Sequence, residues 1–327
     1  MRAIVVEELG GPEVLRVREV AEPEPGPGEV AVQVAWAGVN FVEIKMRGSG
    51  YLASAPPFTP GLEVSGTVKA VGAGVTGLAV GQRVTALTLV GGYAETAVVS
   101  AALTFPVPEG VGLRLAATLP TVLPTAHALV HEVGRLRAGE AVLVQSAAGG
   151  VGTVVGQIAK RAGAGAVYAV VSRPDKVDYV RRQGYDEVFV GDGWADQARK
   201  ATAGRGVDLL LDPVGGRTWH QGLELLSPFG RAVSFGNASG EQPWTSGFDT
   251  LAPGGYGVYG FSLYGLAETA PDALRRLADR ALWLAADGTV ELPISHELPL
   301  HEAAQAHRLI ESRTTTGKLV LRVGGQR

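Results

Sequence analysis

The residues best suited to chemistry in this 327-residue chain form one run, Gln145-Ser-Ala-Ala-Gly-Gly-Val-Gly152. It follows an apolar segment, Ala141–Gln145, and opens an apolar stretch of helical character through Ala162. Strand, glycine turn and helix in that order are the setting of a G-x-G-x-x-G dinucleotide loop. Ala147 takes the first position, Gly149 the second and Gly152 the third, with Gly150 and Val151 between them. The missing side chain at Gly149 lets a pyrophosphate approach the backbone, and Gly152 lets helix and strand pack closely. The helix start then offers unpaired N–H groups and partial positive charge to the phosphates. Alanine for the first glycine departs from the pattern, so the context decides against an ordinary glycine-rich turn.

The next residues to consider select the dinucleotide. An NAD site places Asp or Glu about twenty residues beyond the loop, on the ribose 2′-hydroxyl. Here that region reads Ser172-Arg173-Pro174-Asp175-Lys176, with no carboxylate at Ser172. A 2′-phosphate can be met by charge-assisted bonds from Arg173 and Lys176. Asp175 opposes this only if its side chain faces the phosphate. The bland alternative makes both cations solvated helix-start residues. NADPH is the expected cofactor, and it brings the hydride chemistry with it.

Composition narrows the rest. The net charge is -3, from 29 Lys+Arg against 32 Asp+Glu, without the concentrated basic surface that phosphate-backbone binding requires. No nucleic-acid partner is expected. Zero Cys removes disulfides, cysteine nucleophiles, iron–sulfur clusters and thiolate zinc sites. The six His show no usual ligand grouping, so no metal is expected. Glu7 and Glu8 fall where a signal peptide needs an apolar run. Two uncharged stretches, Ala141–Ala159 and Thr250–Ala267, reach membrane length but are broken by glycines and polar side chains. A soluble, cytoplasmic protein with no membrane partner is expected.

The elements that must position these residues divide the chain. The first third carries short β-type runs, such as Val30–Ala35, Val64–Val71 and Arg83–Leu89, separated by Gly and Pro. Near residue 122 the pattern turns to apolar strands alternating with helices, the signature of βαβ units on a parallel sheet. Strands are expected at Ala141–Gln145, Ala166–Val171, Glu187–Val190, Val207–Leu211 and Arg231–Phe235. Helices are expected around Asp196–Thr202, Thr218–Leu226 and Leu274–Ala286, and the chain closes on KLVL. A β-rich start, a central α/β unit and a mixed closing segment suggest one domain inserted into another.

Longer motifs then carry a family resemblance across nearly the whole chain. They are GGPEVL at Gly10–Leu15, GVNFVEIKMRGSGY at Gly38–Tyr51, PGLEVSGTV at Pro60–Val68, VGAGVTGLAVGQRV at Val71–Val84, SFGNASG at Ser234–Gly240 and ESRTTTGKLVL at Glu311–Leu321. With the loop, they resemble the zinc-independent, zeta-crystallin-like quinone oxidoreductases of the medium-chain dehydrogenase/reductase superfamily. The resemblance implies an α/β protein: a GroES-like catalytic domain from residues 1–122 with 267–327, and a Rossmann NADPH-binding domain from 123–266. It implies a homodimer, for which Val258–Leu266 is the candidate sheet edge. Asn40 corresponds to the family's active-site Asn, which orients nicotinamide ribose or substrate. Tyr51 corresponds to a tyrosine of the substrate cleft, able to donate a proton to a quinone oxygen. Thr125, Phe235 and Asn237 are expected near the nicotinamide, Arg313 near the adenosine phosphate, and Glu43 in a structural role. Zinc-dependent relatives need Cys near the position of Asn40 and His beside Glu63, where this chain has Asn40 and Leu62. Gly191 and Gly260 depart from several bacterial relatives and weaken the expected preference for NADPH.

The resulting expectation is an NADPH-dependent quinone oxidoreductase acting on small quinones without metal or flavin. An NADPH-dependent enone or alkenal reductase needs the same cofactor geometry, and a non-catalytic NADPH-binding protein is a third alternative. An enoyl-reductase module of a larger synthase is disfavoured by the clean close after the last strand.

Overall fold

The computed structural model describes residues 1–241 and 246–324. The strands are β1 (Arg2–Val6), β2 (Leu15–Glu19), β3 (Glu29–Val39), β4 (Glu63–Val71), β5 (Arg83–Leu87), β6 (Thr96–Ser100), β7 (Thr104–Pro106), β8 (Ala141–Val144), β9 (Ala166–Val171), β10 (Glu187–Val190), β11 (Val207–Asp212), β12 (Leu226–Ser234), β13 (Gly257–Gly260), β14 (Ile294–Pro299) and β15 (Lys318–Arg322). Two compact units result, Met1–Pro124 with Tyr264–Arg327, and Thr125–Leu263.

The first unit is GroES-like and largely β. Its main sheet has the order β14-β15-β3-β4-β5-β7, with β6 also paired to β3. The long β3 serves three partners because β6 pairs with Glu29–Gln33 and β15 with Trp36–Val39 while β4 runs along Val30–Ala37, with register shifts between Ala31 and Val32 and between Val34 and Trp36. Its valines Val30, Val32 and Val34 are buried, and so are Ala31 between them and Ala37 and Val39 near its end, so most of the strand lies inside the unit. Antiparallel pairing of β3 with both β4 and β15 has a consequence for the site: the chain leaving β3 lies between the first residues of its two neighbours.

The second unit is a Rossmann fold. Six strands run parallel in the order β10-β9-β8-β11-β12-β13, which is the doubly wound 3-2-1-4-5-6 arrangement. The strand order reverses at β8: β9 lies on one side of it, and β11 on the other. The C-terminal ends of β8 and β11 therefore form the switch point where doubly wound sheets bind ligands. The core on the sheet includes Leu143, Leu210, Phe189, Trp194 and Trp219, all buried.

Several expected elements are redrawn. The helix expected at Thr218–Leu226 runs Gly216–Leu223, because Leu226 already begins β12. The helix expected at Leu274–Ala286 is Pro271–Ala281 followed by a separate turn of helix, Trp283–Ala286. Val258–Leu266 is not one edge strand: β13 ends at Gly260, and a helix begins at Leu263. The uncharged stretches fold as strand, loop and helix, and no described helix is long and apolar enough to cross a membrane.

Candidate functional site

In the Rossmann unit the glycine loop leaves the end of β8 at the switch point. Gln145 N–H bonds to the Leu211 carbonyl and Ala147 N–H to the Val170 carbonyl, so the loop is fastened to strands on both sides. Gly149 caps the helix Gly150–Arg161 in extended conformation and is exposed. A Cβ there would meet only the Ser146 carbonyl oxygen, at 3.4 Å, so its backbone is open to a ligand. Gly152 is the opposite case: a Cβ would lie 2.6 Å from both the Cα and the carbonyl oxygen of Ala147. Backbone cannot yield as a side chain can, and only glycine allows the helix this approach. One turn on, a Cβ on Gly156 would strike the Tyr185 ring at 2.4 Å, while the Tyr185 hydroxyl donates to the Gly152 carbonyl at 2.6 Å. The amides of Gly150, Val151 and Gly152, in the first helical turn, have no intrahelical acceptor. This cradle fits a dinucleotide pyrophosphate.

Residue types alone gave no warning about Ser146, which turns the loop at φ 55. A non-glycine residue in that region is strained, and such strain concentrates at ligand sites. Behind the loop, buried Gln145 and Asp212 stand at neighbouring strand ends, and Gln145 Nε2 and Asp212 Oδ2 have no protein partner. Asp212 Oδ1 accepts from the amides of Val214 and Gly215, a strand-end turn. Burial pushes its carboxyl up to about 6, against the pull of the Gly215 and Val214 amides.

Five of the other expected cofactor residues follow strand ends of the same parallel sheet. Ser172, Arg173 and Lys176 follow β9. Ser172 and Arg173 are exposed, but Lys176 is buried, so the two cations differ in access. Arg173 is held by Asp175 through Nε at 3.1 Å and Nη2 at 2.9 Å. The side chain of Asp175 thus faces Arg173 and competes with a phosphate for its guanidinium. The pair is about half exposed on each side, and such pairs contribute little, so a dianionic phosphate is a competitive partner for the guanidinium. Phe235 and Asn237 follow β12. The Asn237 amide donates to the Glu241 carbonyl and accepts from the Ser239 hydroxyl, which makes it the organiser of a local turn. Thr125 is buried in the helix Leu119–His127. Gly191 has φ 70 with open space around its missing Cβ.

The GroES-like unit carries a polar cluster that its sequence hid. Asn40 lies just past β3, Glu63 begins β4 and Lys318 begins β15. Asn40 Nδ2 donates to Glu63 Oε1 at 3.0 Å, and Lys318 Nζ donates to Asn40 Oδ1 at 2.6 Å, to Glu63 Oε1 at 2.7 Å and to the Val39 carbonyl at 2.9 Å. The other Glu63 oxygen accepts from the Thr121 amide in the first turn of its helix. Glu63 and Lys318 are both buried. Gly38 makes room, since a Cβ there would lie 2.4 Å from Glu63 Oε1. The only sequence signal was a charge opening each of two apolar strands, which reads equally well as a solvated strand end.

Beside it, Glu43 is fully buried and accepts from the amides of Asn40 and Leu62 and from the Tyr93 hydroxyl, at 2.5 Å. Burial pushes its carboxyl up to about 7, opposed by those hydrogen bonds and by Lys318. Tyr93 also lies 3.4 Å from His307 Nε2, and burial and Arg47 push the His307 imidazole down to about 3. Tyr51 is 55% exposed, in the loop after the helix Phe41–Ser49. Arg313 sits exposed at φ 56, in the turn after the helix Ala303–Glu311.

Comparison with known proteins now adds to the geometry. Residues 26–109 match the alcohol dehydrogenase GroES-like domain, and residues 150–279 match the family described as zinc-binding dehydrogenase. The chain is 35% identical over 315 residues to a quinone oxidoreductase of Pseudomonas aeruginosa, covering 95% of this chain and 96% of that one. It is 34% identical to the quinone oxidoreductase of Rattus norvegicus, over 98% of this chain and 97% of the relative. The crystal structure of Escherichia coli quinone oxidoreductase complexed with NADPH superposes with a TM-score of 0.91 at 28% identity, covering 99% of this chain and 100% of that one. The chain belongs to the zinc-independent quinone oxidoreductase family of the medium-chain dehydrogenase/reductase superfamily. The zinc in one matched family's description does not fit these residues. The chain has no cysteine, and the protein's own ammonium, Lys318, donates to the Asn40 amide oxygen and to the Glu63 carboxylate. Among the described residues no three His, Asp or Glu side chains are grouped to hold a metal.

Proposed function

We propose that this protein is an NADPH-dependent quinone oxidoreductase that reduces small quinones without metal or flavin. The observation that carries the reading is the glycine loop at the switch point: an open backbone at Gly149, three unpaired first-turn amides and a helix held close by Gly152. NADPH, when bound, supplies the hydride. The chain's residues bind and orient. The loop amides hold the pyrophosphate, Ser172 and Arg173 meet the 2′-phosphate as Asp175 gives up the guanidinium, and Thr125, Phe235 and Asn237 border the nicotinamide. Asn40 donates to an oxygen of ribose or acceptor, and the exposed Tyr51 phenol donates the proton a reduced quinone oxygen needs. Arg313 adds a positive charge for the adenosine phosphate. The protein works in the cytoplasm as a homodimer joined along β13, the sheet's last strand, whose Val258 and Tyr259 are each 37% exposed.

The test is oxidation of NADPH and NADH by the purified protein, with 1,4-benzoquinone and an enone lacking any quinone system. NADPH-specific turnover on the quinone is expected, with a Km for NADPH about tenfold or more higher in Arg173→Ala, the loss of one charge-assisted bond. Equal use of NADH sinks the role of Arg173. Turnover on the enone alone makes the protein a double-bond reductase, and silence on both leaves a cofactor-binding protein.

A further inference from the structure

We propose that Lys318 is the positioning residue of the candidate site, and that it makes Asn40 a hydrogen-bond donor only. This rests on the proposed function for its consequence, though not for its geometry. An amide side chain has one oxygen that accepts and one NH2 group with two protons. Which end is which follows from the neighbours. An ammonium only donates and an ionised carboxylate only accepts, so the atom 2.6 Å from Lys318 Nζ is the oxygen and the atom 3.0 Å from Glu63 Oε1 is the nitrogen. Turning the amide over would set N–H against ammonium and oxygen against carboxylate.

The three groups are locked in turn. Lys318 is also held by the Val39 carbonyl at 2.9 Å, and Glu63 by the Thr121 amide at 2.9 Å. Both charges are buried, where hydrogen bonds are stronger and an unpaired partner is costly. The Asn40 oxygen accepts from Lys318 and also stands in the N-terminal capping box with the Glu43 amide, one Nδ2 proton goes to Glu63, and one Nδ2 proton remains. Asn40 is half-buried rather than enclosed, and this remaining proton is the one offered to a ligand. The residue recognises an oxygen lone pair: a quinone or enone carbonyl, or a ribose hydroxyl acting as acceptor. It does not recognise a donor. A preorganised donor aimed at oxygen is the arrangement that stabilises charge developing there as hydride is taken up.

The experiment uses the full-length protein labelled with 15N-asparagine. The chain has two asparagines, Asn40 and Asn237, so two side-chain NH2 pairs are observed, and Asn40→Ala assigns them. The pair of Asn40 is expected to show one proton shifted downfield by the Glu63 carboxylate, retained in Lys318→Arg and lost in the double variant Lys318→Met/Glu63→Gln. The double variant removes both buried charges together, which avoids leaving a lone buried carboxylate. In steady-state assays it is expected to lower kcat with 1,4-benzoquinone about tenfold or more, while the NADPH dissociation constant moves less than about threefold, because a donor acting in the transition state is what has been loosened. Lys318→Arg restores part of the rate. The proposal is overturned if the Asn40 pair of the wild type resembles a solvated amide. It is also overturned if the double variant keeps its kcat, or loses NADPH affinity and kcat together with the Asn40 signals unmoved. Wild-type protein with the expected Asn40 signals but no turnover on any acceptor defeats the proposed function and leaves the positioning intact.

Discussion

At the scale of single residues, Glu43 has the clearest solution signature. Its carboxyl titrates at about 7 in the folded chain against an ordinary 4.5, because it is buried among Asn40, Leu62, Tyr93 and Lys318. Folded protein therefore binds the proton more tightly, and the Glu43 contribution to stability is complete below about 4.5 and is lost as pH rises through about 7. His307 acts in the other direction: its imidazole is depressed to about 3, so its contribution is lost as pH falls from 6.5 toward 3. The two slopes oppose each other between 4.5 and 6.5. The difference between wild type and Glu43→Gln isolates the first. Urea unfolding from pH 5 to 8 should show wild type losing stability relative to the variant as pH rises; a flat difference would refute burial as the cause. The residue types of the nucleotide loop declared their purpose in the sequence, as glycine does where a side chain cannot fit. Glu63 and Lys318 did not, since a charge beginning an apolar strand looks the same whether it meets water or a partner 255 residues away.

Secondary structure followed the sequence wherever local pattern and burial agreed. Ala166–Val171 and Glu187–Val190 form β9 and β10 with the expected bounds; β9 is a continuous apolar run, as a parallel sheet covered on both faces requires, and β10 is the edge strand, with Phe189 buried. One misplaced boundary lies where pairing overrode local preference: Leu226 joins β12 through its pairing with Val207 on β11 rather than extending the helix before it. The short β13 carries the expectation of a homodimer. It pairs with β12 on one side, and in a monomer its other side would expose a row of backbone groups, which natural proteins cover or charge. Val258→Lys places a charge on that edge. By light scattering after size exclusion, wild type should have the mass of a dimer and the variant that of a monomer; a wild-type monomer, or a variant of unchanged mass, removes β13 as the interface.

For the whole molecule, the dinucleotide reading carries a test that needs no turnover. A ligand that binds only folded protein adds about 2.7 kcal/mol at a hundredfold excess over its Kd. NADPH should therefore raise the melting temperature by several degrees, and NADH at the same concentration by clearly less. Equal shifts would show that Arg173 remains with Asp175 and does not meet a phosphate. By itself the sequence determined a β-rich start, a central parallel α/β unit, the glycine loop and the absence of thiol ligands, because these depend on local periodicity, on turn chemistry and on which side chains exist at all; the GroES-like arrangement was legible only through the family resemblance of its longer motifs. Only the tertiary structure decided that Asn40, Glu63 and Lys318 form one hydrogen-bonded cluster, that Asp175 pairs with Arg173 and that Lys176 is buried. Antiparallel pairing of β3 with β4 and with β15 brings together residues 23 and 278 positions apart, and no local rule specifies which strands pair.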